Sequence, residues 1–137
     1  MTRTILLDTH SWVWIQSGTP NKFSEPELEA LESASMRGAL AVSMISIWEI
    51  SMLESRHRLH LNRPCWDWVM EALATPGQRM IDISIRIAFE ASRLPGSIHG
   101  DPADRIIAAT ARDLDALLLT RDGKLLEYAA QGHLNLL

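Results

Sequence analysis

At 137 residues, 47% apolar and with a formal net charge of −4, the chain suits one globular domain that buries roughly two thirds of its unfolded surface. This composition excludes a disordered segment and a generic basic nucleic-acid coat. Cys65 is the single cysteine, so an internal disulfide and a thiolate zinc site are excluded and a reducing cytoplasm fits best; no apolar run approaches the ~18 residues of a membrane span, and the apolar stretch near the N-terminus is too short for a signal peptide.

Ile5 to Asp8 reads as a short buried strand, an apolar run stopped by a polar residue, and Thr9 to Gln16 as a short helix. After the loop Ser17-Gly-Thr-Pro-Asn21, Ser24 opens a second helix, with Pro26 in its first turn and Glu27 completing a capping box. Ala39 to Ser43 is a second strand. Ser46 to about Arg56 and Pro64 to Ala74 are helices. Met80 to Ile83 is a third strand candidate, followed by a helix from Ser84 to Leu94 that Pro95-Gly96 stops. Pro102 to Asp113 is a helix with proline at its first position, Leu117 to Thr120 a fourth strand, Asp122 to Ala130 a helix, and Leu134 to Leu137 a final edge strand. Short apolar strands alternating with helices predict an α/β fold, with a mostly parallel sheet of four to five strands covered on both faces. In such sheets sites form outside the carboxyl ends of the strands.

Several acids stand at that rim or on apolar faces. Asp8 ends the first strand, and Asp122 follows Leu117-Leu-Leu-Thr-Arg. On a helix, Glu49 shares a face with Ile45, Met52 and Leu53, and Asp104 with Ile107, Ala108 and Ala111. A carboxylate pointing with an apolar stripe costs free energy unless it is paired. Simpler readings exist: Asp8 as a helix cap, Asp122 as a turn residue, Glu49 snorkelling to water. Asp101, before Pro102 and three residues ahead of Asp104, is well explained as an N-cap. Asp82 also follows an apolar run, but reads as a cap or edge residue outside the site.

Two carboxylates ~4 Å apart repel by roughly 4 kcal/mol at an effective dielectric of 20. A divalent cation reverses that sign, and oxygen ligands suit Mg²⁺ or Mn²⁺ rather than zinc. Such an ion lowers the pKa of a bound water and makes a nucleophile near neutral pH, so no serine, cysteine or histidine nucleophile is needed. Thr9, Ser46 and Thr120 are candidates to hydrogen-bond the carboxylates or meet substrate. Arg105 and Arg121 either pair with acids or bind phosphate. His10 and His99, beside acids, read first as polar surface residues and second as groups that orient water or contact phosphate. The basic stretch Arg56-His57-Arg58-Leu-His60-Leu-Asn-Arg63 reads as a solvated helix end, with phosphate contact as the second reading. Trp12/Trp14 and Trp66/Trp68 stand two apart, so on helices one of each pair leaves the core stripe and is a candidate for an interface.

Taken in order, Ile5-Leu-Leu-Asp8-Thr9-His10, Ser43-Met-Ile-Ser46-Ile-Trp-Glu49-Ile, His99-Gly-Asp101-Pro-Ala-Asp104-Arg105-Ile-Ile-Ala-Ala and Leu118-Leu-Thr120-Arg-Asp122 make the chain resemble the PIN-domain ribonucleases, and more closely the VapC-type toxins of bacterial toxin–antitoxin pairs. The resemblance covers nearly the whole chain as one PIN domain, 1–137. It implies a three-layer α/β/α fold and Mg²⁺- or Mn²⁺-dependent endoribonuclease activity. Asp8, Glu49, Asp104 and Asp122 would be the metal-binding, catalytic acids, and Asp101 a further acid of the Asp-Pro-x-Asp-Arg subgroup. It also implies a homodimer or a hetero-oligomer with a cognate antitoxin. One departure stands out: the subgroup often carries a lysine four residues after the glutamate, and here that residue is Leu53.

Two other classes compete. A catalytically silent PIN-like module that binds RNA or protein would not need the full set of acids. A phospho-receiver domain would want adjacent acids after its first strand and a lysine after its last. Here Thr9-His10 follows Asp8, and the lysines are Lys22 and Lys124.

Overall fold

A computed structural model describes residues 3–137. Residues 1 and 2 of the expected domain lie outside the described residues. The elements follow in the order β1 (Ile5–Leu7), α1 (Thr9–Gln16), a 3-10 turn (Pro20–Lys22), α2 (Glu25–Met36), β2 (Leu40–Ser43), α3 (Ile45–Ser55), α4 (Cys65–Leu73), β3 (Gln78–Ile81), α5 (Ile85–Ala91), α6 (Pro102–Leu114), β4 (Leu117–Leu119), α7 (Gly123–Ala130) and β5 (Asn135–Leu136). The five strands form one sheet in the order β3-β2-β1-β4-β5, and every pairing is parallel.

The short apolar strands are explained by cover on both faces. Leu6, Ala41 and Leu118 stand in register across the three inner strands and turn to one side, where they meet Ile107, Ala108 and Ala111 of α6 and Leu125 and Tyr128 of α7. Ile5, Leu7, Leu40, Val42 and Leu119 turn to the other side and pack on Trp12, Leu31, Ile50 and Trp68 from α1 to α4. Each fully buried leucine contributes about 2 kcal/mol. Helix, sheet and helix make the three layers. α5 packs beside α6 through Ile87, Ala91 and Ala109, with Ile81 of β3 against the same cluster.

Local chemistry sets the helix ends. The capping box at α2 forms as expected: Ser24 Oγ accepts the Glu27 N–H, and Glu27 accepts the Ser24 N–H at 2.8 Å. The third strand starts earlier than its apolar run, at Gln78. It is an edge strand, so polar residues are tolerated on it, and Gln78 Nε2 donates to the Ala72 carbonyl at 2.7 Å. The turn before it needs glycine: Gly77 has φ +91°, and a Cβ there would stand 2.6 Å from the Ser35 carbonyl oxygen. α5 also ends sooner than expected, at Ala91: the Ser92 and Arg93 N–H groups tighten onto the Phe89 and Glu90 carbonyls, and Pro95 has no N–H for the Ala91 carbonyl, which accepts from Arg105 Nε at 2.9 Å instead.

The tryptophans divide as their spacing predicts. Trp12 and Trp68 are buried and meet edge to face, 5.4 Å between ring centroids, whereas Trp66 is 72% exposed. Among the described residues no helix is long and apolar enough to cross a membrane.

Strand order reverses at β1. Its chain neighbour β2 lies on one side, and β4 on the other. The crevice at the carboxyl ends of β1 and β4 is the place where an open parallel sheet leaves room for a site.

Candidate active site

Asp8 stands at that crevice, on the step from β1 into α1. It is only 5% exposed, and both carboxylate oxygens are engaged. Oδ1 accepts the Ser11 N–H at 2.9 Å as the N-cap of α1, and Oδ2 accepts the Thr120 hydroxyl at 2.5 Å across the sheet from β4. The Thr120 oxygen also accepts the Asp122 N–H at 3.0 Å. One hydroxyl therefore ties two acids together. The strand ends are joined further, through Asp8 N–H to the Leu119 carbonyl at 3.2 Å and the Ser11 hydroxyl to the same oxygen at 3.1 Å.

Three helices bring the other acids. α3 packs on α6 and carries Glu49, half-buried, on the face predicted from its spacing. α6 begins at Asp101, whose Oδ1 accepts the Ala103 N–H at 3.0 Å, and carries Asp104 one turn on. Asp122 caps α7, and its Oδ2 accepts the N–H groups of Lys124 and Leu125, each at 3.0 Å. Asp8, Glu49, Asp101, Asp104 and Asp122 line one cavity of about 210 Å³, together with Thr9, His10, Met52, Leu53, Arg58 and Ile107. The capping readings for Asp8, Asp101 and Asp122 are true as well. A capping carboxylate has a second oxygen, and the cap fixes its direction.

Crowding shows in the protonation equilibria. Burial pushes the Asp104 carboxyl up to about 7, helped by the charges of Asp101, Asp122, Glu49 and Asp8. Burial also raises Glu49. A hydrogen bond from the Thr9 hydroxyl works against that rise, and Asp101 adds to it. Donor atoms of Glu49, Asp101 and Asp104 lie within 4.8 Å of one another, as do those of His99, Asp104 and Asp122. A set of carboxylate oxygens, crowded so that its buried members resist ionising, fits a Mg²⁺ or Mn²⁺ ion.

Among the supporting residues, Thr120 bonds an acid directly. Ser46 stands one step back, with its hydroxyl 2.9 Å from the Thr9 hydroxyl, linking α3 to α1. The two arginines lie away from the cavity. Arg105 gives its donors to the carbonyls of Ala91, Ile98 and His99. Arg121 pairs with Glu27 at 2.5 Å and donates to the Lys22 carbonyl, over the Phe23 ring. Neither meets Asp104 or Asp122, its chain neighbour. Asp82 is exposed and outside the cavity, as expected.

Two residues have a larger place than their sequence context indicated. His99 Nδ1 accepts the Asp101 N–H at 3.2 Å, which leaves the proton of a neutral ring on Nε2, 2.9 Å from Asp104 Oδ2. Proximity to Asp101 was visible in the sequence; the approach to Asp104 depends on the loop that Arg105 holds. Arg58 lines the cavity from the turn after α3.

The shared hydroxyl makes a direct prediction. Thr120→Val keeps the shape of the side chain but frees one oxygen of Asp8, and it should weaken divalent-ion affinity about tenfold with the fold intact. Calorimetric Mn²⁺ titration beside circular dichroism checks this, and unchanged affinity would show that Asp8 is oriented by its helix alone.

The profile of the PIN domain family matches residues 5–131. The chain is 36% identical over 122 residues to Ribonuclease VapC22 of Mycobacterium tuberculosis, covering 89% of each protein. Among solved structures it is similar to VapBC2 from Rickettsia felis bound to a promoter DNA fragment, with a TM-score of 0.68 and 20% identity over 98% of this chain and 97% of that one. It is also similar to FitAcB from Neisseria gonorrhoeae, with a TM-score of 0.60 and 23% identity over 93% and 94% of the two chains.

Proposed function

The chain belongs to the PIN-domain family, and from that premise we propose that it is a metal-dependent endoribonuclease, the toxin of a toxin–antitoxin pair, acting as one PIN domain in a reducing cytoplasm. The observation that carries the reading is the meeting of five carboxylates from β1, α3, α6 and α7 in one cavity at the reversal of strand order. Its relative is named a ribonuclease, which agrees with a site built for phosphodiesters.

In this reading Asp8, Glu49, Asp104 and Asp122 would hold the ion, with Asp101, whose carboxylate lies within 4.8 Å of those of Glu49 and Asp104, as a further ligand. A divalent ion supplies Lewis acidity toward a phosphate oxygen and lowers the pKa of a water. The chain supplies direction. Ser11 and Thr120 hold the Asp8 carboxylate, the α7 N-terminus holds Asp122, and Met52, Leu53 and Ile107 form the apolar wall that keeps the site small. A cognate antitoxin is the protein partner this reading implies, in a homodimer-based or mixed assembly.

The test is cleavage of a pool of fluorogenic RNA oligonucleotides of randomised sequence. Cleavage with Mg²⁺ or Mn²⁺ that stops in EDTA and returns when the ion is restored is the expected result. Equal cleavage in EDTA would overturn the metal-dependent reading.

A further inference from the structure

The turn after α3 folds back over the acid cavity. Arg56 caps the helix, His57 takes the left-handed region at φ 56°, the His57 N–H reaches the Glu54 carbonyl at 3.0 Å, and the Arg58 N–H reaches the Leu53 carbonyl at 2.9 Å. This pair of bonds is a Schellman closure, made here by a histidine where glycine would sit without strain. Its effect is to return the chain to Leu53, one helical turn beyond Glu49. Arg58 is thereby placed among the residues lining the cavity.

Among the described residues, the Arg58 guanidinium forms no ion pair with the five acids. Its charge is therefore not consumed by the cluster it faces. Arg105 and Arg121 are bonded elsewhere, so Arg58 is the arginine that the cavity offers to a ligand. A phosphodiester approaching five carboxylates meets a repulsive field that a fixed cation at the rim reduces. A guanidinium also presents paired N–H donors that match two phosphate oxygens, which an ammonium cannot do.

We propose that Arg58 is a substrate-binding residue that grips an RNA phosphate beside the acid cluster, and that the left-handed turn at His57 exists to aim it. The proposal rests on the ribonuclease reading above.

The experiment compares wild type, Arg58→Ala, Arg58→Gln, Arg58→Lys and Arg56→Ala. Each is assayed for cleavage of the randomised fluorogenic RNA pool with Mn²⁺, over a range of KCl, with circular dichroism as the check on folding. Arg56 is the neighbouring exposed arginine outside the cavity, so Arg56→Ala should stay within about twofold of wild type. Arg58→Ala and Arg58→Gln should lower kcat/KM about thirtyfold, mainly through KM, the size expected for a lost charge-assisted pair of hydrogen bonds. The slope of log(kcat/KM) against log[KCl] should become shallower by about 0.7, the loss of one phosphate contact to a single strand. Arg58→Lys should keep the wild-type slope and recover part of the rate. Folded Arg58→Ala or Arg58→Gln with wild-type KM and slope would overturn the proposal, and so would an Arg56→Ala as damaging as Arg58→Ala. A wild type that does not cleave with metal fails in its own arm of the assay and takes both readings down.

Discussion

Asp104→Asn is expected to lower RNA cleavage about a thousandfold while raising the melting temperature of the metal-free protein at pH 8 by about 5 °C. The two outcomes share one cause. Asp104 is 13% exposed and surrounded by Asp101, Asp122, Glu49 and Asp8, and its folded carboxyl ionises only near 7, against an ordinary value of 3.8. A raised folded pKa means that the native chain keeps a proton which the unfolded chain gives up. Between about pH 4 and 7 stability therefore falls as pH rises, and above 7 the full cost remains because both states are ionised. The gap between the folded and ordinary values sets a ceiling of roughly 4 kcal/mol; with partial solvent access about half of that is expected. For a chain of this length about 2 kcal/mol is roughly 5 °C. Asparagine has the same shape and no charge, so it removes the cost, and its advantage should shrink as pH is lowered and vanish near pH 4. In the proposed metal-dependent reading the same change would also remove an ion ligand, and a loss of about 4 kcal/mol of charge stabilisation is a thousandfold in rate. Calorimetry in EDTA and the RNA assay read the two halves separately. A melting point below wild type at pH 8, or cleavage within tenfold, would show that Asp104 is an ordinary structural acid. Exchanging stability for a charged site in this way is a common feature of functional clusters.

Much of this site was legible in the sequence because periodicity and strand ends are local. Glu49 and Asp104 share faces with apolar residues three and four positions away, and the helices did turn both toward the cavity. Asp8 and Asp122 follow apolar runs, and parallel strands of three residues leave little choice about where the next residue falls. The expected three layers follow from the same pattern. What escaped depends on long side chains and on turns. Arg105 stands beside Asp104 in the chain, yet its guanidinium reaches back to the carbonyls at the end of α5 and in the loop of Ile98 and His99. Arg121 likewise passes Asp122 to reach Glu27. Five donors on a flexible stem take whichever acceptors the tertiary structure offers.

The turn at His57 was hidden for a related reason. A Schellman closure is usually announced by glycine, and here a histidine occupies the left-handed position. The basic stretch around it then looked like a solvated helix end. The third strand was misplaced by two residues because it is an edge strand, where Gln78 and Arg79 fit as well as an apolar pair. Local pattern thus located the charges that packing confines, and missed the ones that reach across the molecule.

Divalent-ion affinity should rise about tenfold per pH unit between pH 5 and 7 and level off above that. An ion cannot bind a protonated carboxyl, and Asp104 holds its proton until about pH 7. Below that point each bound ion must displace a proton, so acid competes with metal. Glu49, also raised by burial and by Asp101, makes the dependence steeper toward the acid end. At pH 6 calorimetry in two buffers of different ionisation enthalpy should detect release of about one proton per Mn²⁺ bound, and at pH 8 release should be close to zero. Cleavage lost at pH 6 should return when Mn²⁺ is raised, because the loss is one of occupancy and the RNA contacts are unchanged. The dependence should flatten in Asp104→Asn, which has no proton to displace at that position, although its affinity is lower throughout. Affinity that stays constant from pH 6 to 8 in the wild type would mean that the ion binds without Asp104, and the centre of the site would then move to Asp8 and Asp122, which share the Thr120 hydroxyl.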